Sequence, residues 1–273
     1  IQEAVNATSP IHFIDRIRCP VLIIHGWHDV GMPPNEALEM FDRLRVPKKL
    51  YLGGGGHDGQ DDAAAQKLRE QMADRWLDHW LKSEDTGIMD EPAITYTQRP
   101  GWGNATCDAI PPSDVEQRTL YLLPDGKLGD QPLTGPSTHA NINNVPIDTG
   151  YRLPEAIADD LEGVPDALKR EVVAFDTEPT DSALEILGNC RFQLHTMPNQ
   201  PFVQVNAELQ DVAPDGSSQL ITRSQKGMRN ASPGRHTEIA FDARTIGYVV
   251  AAGHRIRLSI SNYDHEYAFP YFQ

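Results

Sequence analysis

The chain has 273 residues, 39% hydrophobic and 23% charged, and its 24 basic against 39 acidic residues give a formal charge of −15. This balance describes a folded chain with one large or two ordinary domains rather than a disordered one, and the negative charge argues against nucleic acid or anionic lipid as a partner. No apolar run approaches the ~20 residues of a membrane-spanning helix, and Cys19, Cys107 and Cys190 are too scattered for a disulfide framework or a structural zinc site.

The chain opens on Ile1 rather than Met, so the lack of a targeting signal carries no weight. A lead-in with apolar anchors Ile11, Phe13, Ile14 and Ile17 precedes Val21–Ile24, a continuous apolar run. Such a run is the pattern of a strand buried on both faces of a parallel sheet. It is expected to stop at His25-Gly26-Trp27-His28-Asp29. Pro33-Pro34 then opens a helix with an apolar face of Ala37, Leu38, Phe41 and Leu44. A second strand, Lys49–Leu52, is expected to end at Gly53–Gly56, with His57 next. A long helix from about Asp62 to Lys82 repeats Leu68, Met72, Trp76 and Trp80, with Leu77 and Leu81 beside them. Strand, helix, strand, helix is the order of a doubly wound sheet.

Between Ser83 and Pro92 the sequence turns polar, which divides an α/β part (1–88) from a second part (91–273). Short strand-like runs follow at Thr119–Leu123, Val172–Phe175, Arg191–His195, Phe202–Val212, Thr237–Phe241 and Arg255–Ser261. In Phe202–Val212 one face carries Val203, Val205, Ala207 and Leu209, and the other carries Gln204, Asn206, Glu208 and Gln210. With turn signals at Pro124-Asp125-Gly126 and Pro214-Asp215-Gly216, this reads as an antiparallel sandwich. Residues 127–170 read as loop.

Asp29 falls just past the end of a buried strand, where open α/β sheets place their ligands, and His57 follows the next strand by a short loop. An imidazole acting as a general base needs a carboxylate on its other nitrogen, so the two together suggest catalysis more strongly than either alone. Asp58 is a second candidate acid. The glycine run lacks the Gly-Lys-Ser/Thr of a phosphate loop, which sets nucleotide binding aside; its glycines are expected to turn the chain sharply and point His57 back over the sheet. A metal site from His25, His28, Asp29, His57 and Asp58 is disfavoured because side chains diverge at a strand end, and no cofactor is expected. Trp27 belongs either to the core or to the wall of a substrate pocket. His254, Asp264 and His265 read as surface or interdomain groups.

Pro20–Asp29 (PVLIIHGWHD) followed 28 residues later by Gly56-His57 resembles the last third of the catalytic domain of CocE/NonD hydrolases, in the X-Pro dipeptidyl-peptidase superfamily. Arg75–Lys82 is similar to that domain's final helix, and Leu120–Leu128, Gly188–Thr222 and Ala252–Ser259 are similar to the family's C-terminal jelly roll. The resemblance implies the C-terminal strands and helices of an α/β-hydrolase followed by a jelly-roll β-sandwich. It also implies a serine acyl hydrolase in which Asp29 is the triad acid and His57 the base, acting on a small ester, amide or short peptide. The family's serine lies on a G-x-S-x-G elbow, and this chain contains none; Gly135-Pro136-Ser137-Thr138-His139 fails at the last position. Two parallel strands also cannot bury both faces of a sheet alone. The expectation is therefore a chain that lacks the nucleophile-bearing N-terminal part of the hydrolase domain, supplied in cis or in trans, and that is inactive by itself. The alternative is a non-catalytic β-sandwich module for binding or assembly. Homo-oligomerisation is left open.

Overall fold

The computed structural model describes residues 9–29, 31–57, 62–101, 103–135, 140–142 and 172–262. Its elements are β1 (Val21–His28), α1 (Pro34–Arg43), β2 (Lys48–Gly56), α2 (Ala63–Lys82), β3 (Ile94–Gln98), β4 (Gly103–Cys107), β5 (Tyr121–Leu123), β6 (Lys127–Gly129), β7 (Val172–Asp176), β8 (Leu184–Gly188), β9 (Arg191–Thr196), β10 (Val203–Val212), β11 (Ser218–Met228), β12 (Thr237–Asp242), β13 (Ile246–Val250) and β14 (Arg255–Ser261). The chain divides into two compact units. The first is Ile1–Val115 with two returns, Glu185–Asn189 and Arg244–Val249; the second is the remainder.

The first unit is built on a sheet of order β1-β2-β3-β4, in which β1, β2 and β3 are parallel and β4 is antiparallel to β3. Successive side chains of β2 point to opposite faces, and each face has its own helix. The Lys48 ammonium lies 4.5 Å over the Phe41 ring of α1. On the other face Tyr51 packs with Met72 and Trp76 of α2, with Leu22 and Leu68 against them, and its hydroxyl donates to the Ala65 carbonyl. Leu50, Tyr51 and Leu52 are consequently fully buried. Asp62 starts α2 by accepting the Ala65 amide at 2.7 Å, and Ser83 ends it in the left-handed region with φ 60°.

Three expectations change here. β1 runs to His28 and β2 to Gly56, so the presumed loops are strand ends. The glycines allow this because a Cβ on Gly26 would collide with the Gly55 carbonyl oxygen. β1 is also an outer strand, and Ile24 is 44% exposed rather than buried. The sheet, finally, continues past the polar segment at 83–92. Leu50 donates to the Ala93 carbonyl, and the buried Lys49 ammonium donates to the carbonyls of Glu91 (2.6 Å) and Pro92 (2.9 Å). β3 and β4, unread in the sequence, follow from that attachment.

In the second unit the main sheet has the order β11-β10-β14-β7-β6-β5, and β9 pairs with β12. Pro124-Asp125-Gly126 and Pro214-Asp215-Gly216 make the turns between β5 and β6 and between β10 and β11. β10 lies inside the sheet, between the edge strand β11 and β14. Its expected polar face is nonetheless covered: Gln204, Asn206 and Glu208 are buried with Val205 and Ala207. Hydrogen bonds offset that desolvation, among them Asn206 Nδ2 to the Ser261 carbonyl and Gln210 Nε2 to Glu208. Arg257 and Asp176, directly opposed on β14 and β7, form a bidentate pair at 2.7 and 2.8 Å. That pairing holds the Asp176 carboxyl below its ordinary value.

Candidate active site

Asp29 and His57 meet because β1 and β2 are parallel and end together. The register runs from Val21 opposite Lys48 to Gly26 opposite Gly53, and then shifts so that His28 lies opposite Gly56. Between those pairs β1 advances two residues and β2 three, so the bulge adds one residue to β2. Asp29 and His57 are the next residue on each strand. Without the bulge, Asp29 would stand opposite Gly56, and the imidazole would be one position further along.

His57 Nδ1 lies 2.9 Å from Asp29 Oδ1 and 3.1 Å from Oδ2. The Gly31 and Met32 amides donate to Asp29 Oδ1 at 2.9 and 2.8 Å. Asp29 as a whole is buried. Burial pushes its pKa up, but the Met32 amide, the imidazole and the Gly31 amide together outweigh burial and hold it below the ordinary value. A charged acceptor requires His57 to donate from Nδ1, which leaves Nε2 as the acceptor nitrogen of the neutral ring. The imidazole side chain is 54% exposed against 8% for the carboxylate. The result is an anchored carboxylate beside a half-exposed imidazole, an arrangement able to take a proton from a hydroxyl brought to Nε2.

Of the other candidates, Trp27 is 1% exposed, donates from its indole to the Thr97 carbonyl at 2.8 Å and packs edge-on against Tyr96. That is the core setting, and it leaves no open face for a substrate. His25 directs Nε2 to the Met32 carbonyl at 2.8 Å. No cluster of three or more His, Cys, Asp or Glu able to hold a metal occurs among the described residues. In the second unit His254 pairs with the buried Asp211 at 2.7 Å, holding the turn before β14. Asp58, Ser137, Asp264 and His265 lie outside the described residues. Gly31 and Met32 have no sequence signature as parts of the site, because what they contribute is backbone. Gly31 also borders the ring: a Cβ there would lie 3.3 Å from His57 Nδ1.

Residues 86–271 match the family described as the X-Pro dipeptidyl-peptidase C-terminal non-catalytic domain, and residues 2–59 match the X-Pro dipeptidyl-peptidase (S15) family. A Bacillus cereus protein named as a Xaa-Pro dipeptidyl-peptidase is 23% identical over 271 residues, covering 92% of this chain and 43% of the relative. An aminopeptidase from a marine-sediment Thaumarchaeota archaeon superposes with a TM-score of 0.71 at 17% identity, covering 94% of this chain and 49% of that one. A CocE/NonD family hydrolase from Staphylococcus aureus gives 0.67 at 14% identity, with coverages of 92% and 48%. The chain thus spans less than half the length of these relatives. Over the matched portion the fold is the one built above: the C-terminal strands and helices of an α/β-hydrolase, followed by a jelly-roll β-sandwich. The chain belongs to the X-Pro dipeptidyl-peptidase C-terminal domain family, whose model matches residues 86–271.

Proposed function

We propose that Asp29 and His57 are the acid and base of a Ser-His-Asp triad in a serine acyl hydrolase. The observation that carries this reading is the 2.9 Å contact from His57 Nδ1 to a carboxylate already held by two backbone amides. The imidazole takes the proton of an incoming serine hydroxyl at Nε2, while Asp29 fixes the tautomer and stabilises the imidazolium. The serine attacks the acyl carbon of an ester, amide or short peptide, the proton passes to the leaving group, and water then resolves the acyl-enzyme. The chain has no G-x-S-x-G, and the outer edge of β1, with Ile24 exposed, suits further strands. We assign both features to an N-terminal hydrolase part that supplies the serine in cis or in trans. No cofactor, nucleic acid or membrane enters the reading. The 273-residue chain alone is expected not to hydrolyse acyl substrates.

The test is Asp29→Asn in the complete polypeptide, assayed with a p-nitrophenyl ester and an Xaa-Pro p-nitroanilide. Turnover should fall by about 10⁴, the loss seen when a triad acid becomes an amide. Near-normal turnover would sink the assignment. A second reading applies to 86–271, where the matched family is described as non-catalytic: this part serves as a β-sandwich for binding or assembly. Deletion of the sandwich from the complete polypeptide should then change assembly or substrate range more than the Asp29–His57 pairing.

A further inference from the structure

His25 is not accounted for by the triad. It is the β1 residue opposite Leu52, and it stands seven residues before Met32, across the loop that carries Asp29. A carbonyl can only accept, so at 2.8 Å from the Met32 oxygen His25 must donate from Nε2. Met32 is thereby gripped from both sides. Its carbonyl is held to β1 by His25, and its amide is spent on Asp29 Oδ1 at 2.8 Å. Pro33 follows with φ −60° and leads directly into α1, so the loop has a fixed exit as well.

We propose that His25 is a positioning residue for the candidate triad: its donation to the Met32 carbonyl holds the loop after Asp29 so that the Gly31 and Met32 amides point at the carboxylate. The proposal rests on Asp29 and His57 being triad members. Oδ1 accepts the Gly31 amide, the Met32 amide and His57 Nδ1, whereas Oδ2 has the imidazole at 3.1 Å. Rotation of Met32 removes one donor from Oδ1, draws the neighbouring Gly31 amide with it and frees the carboxylate to swing. Gly31 lies against the imidazole as well, so a displaced loop disturbs acid and base together. The link thus runs from His25 through Met32 to Asp29 and on to His57. It also explains why a histidine at this strand end need not hold a metal, since its Nε2 is engaged by the Met32 carbonyl.

Three substitutions separate this role from packing. His25→Phe keeps a ring and loses the donor, His25→Gln places an amide N–H where Nε2 was, and His25→Asn carries the same amide on a side chain too short to reach. Residue-resolved amide exchange on the complete polypeptide should show Gly31 and Met32 exchanging about fivefold faster in His25→Phe, the factor one net hydrogen bond carries. His25→Gln should restore protection, and Leu50 and Tyr51 should serve as unchanged internal controls. In the complete polypeptide, His25→Phe should lower kcat by about 10- to 100-fold with KM nearly constant, as expected of a displaced catalytic group; His25→Gln should recover most of it. If His25→Phe does not fold, the Gln and Asn pair decides the matter by the same readouts. Unchanged exchange at Gly31 and Met32, or a loss that His25→Gln fails to recover, overturns the proposal. Asp29→Asn in parallel keeps the two readings apart: full activity there refutes the triad, while the exchange data still judge His25.

Discussion

Gly31→Ala tests how closely the loop and the imidazole are fitted. The new Cβ would lie 3.3 Å from His57 Nδ1, 3.4 Å from Cε1 and 3.7 Å from Asp29 Oδ1. Comfortable contact begins at about 3.5 Å and is best near 3.7 Å, so the ring must retreat by roughly 0.3 Å. A 1 Å misplacement of a catalytic group costs about 10²-fold. Scaled linearly in free energy, 0.3 Å corresponds to roughly fourfold in kcat. Stability should move the other way. Gly31 lies outside the left-handed region, and replacing such a glycine by alanine stabilises by about 0.4–1 kcal/mol through the unfolded chain. The assay is steady-state ester hydrolysis by the complete polypeptide beside urea unfolding of the same variant. Lower kcat with equal or greater stability supports the fitted geometry. Unchanged kcat would refute it, and a kcat loss that tracks lost stability would show that the glycine serves folding instead.

Other positions give further checks. Asp62→Ala removes the acceptor for the Ala65 amide and should cost about 1 kcal/mol, seen as a small fall in the thermal midpoint. Gly26→Ala forces a Cβ against the Gly55 carbonyl oxygen; calorimetry should show a loss of about 1–3 kcal/mol, as for other overpacked sites. The Asp176–Arg257 pair gives a pH signature. Arg257 lowers the folded pKa of Asp176, so the stabilisation is fully present above the unfolded carboxylate value of ~3.9 and is lost as pH falls through the lower folded value. The stability gap between the native chain and Asp176→Asn should therefore be widest near neutrality and narrow below about pH 4. A gap that widens on acidification would contradict the pairing.

The α/β order, both long helices and most strands of the second unit were legible because each carries one continuous apolar run or one clear stripe. β10 shows where that reading stops. Its alternation implied a wet polar face, but Gln204, Asn206 and Glu208 are buried as well, with hydrogen bonds at Asn206 and Glu208. β3 was missed for a related reason. Ile94-Thr95-Tyr96-Thr97 is short, follows a proline and mixes threonine with apolar residues, yet Ile94, Thr95, Tyr96 and Thr97 are all buried. Attachment to β2 buries them, and no local pattern encodes that attachment. In the site, Asp29 and His57 stood out as polar residues after apolar runs. Gly31 and Met32 did not, since an amide donor belongs to every residue except proline. His25 drew notice as a metal candidate, while the structure directs its Nε2 to a carbonyl.

The glycine run is the clearest case of chemistry set by backbone. It was expected to bend the chain, and instead it stays in the strand and absorbs one residue of register. Side chains alternate along a strand, so a one-residue slip moves a side chain to the opposite face as well as along the strand. The bulge between the Gly26–Gly53 and His28–Gly56 pairs therefore sets which residue of β2 stands beside Asp29. Glycine suits the role because the two backbones approach closely there: the Gly55 carbonyl occupies the space a Gly26 side chain would need, and a Cβ on Gly56 would come within 3.3 Å of the His28 carbonyl. Any larger residue would push the strands apart at the point where their tips must converge. Asp29 and His57 are thus brought together by the register of two neighbouring strands. The geometry of the Asp29–His57 pair is a property of this strand pairing, and in the proposed triad a serine would need only to reach an imidazole already oriented.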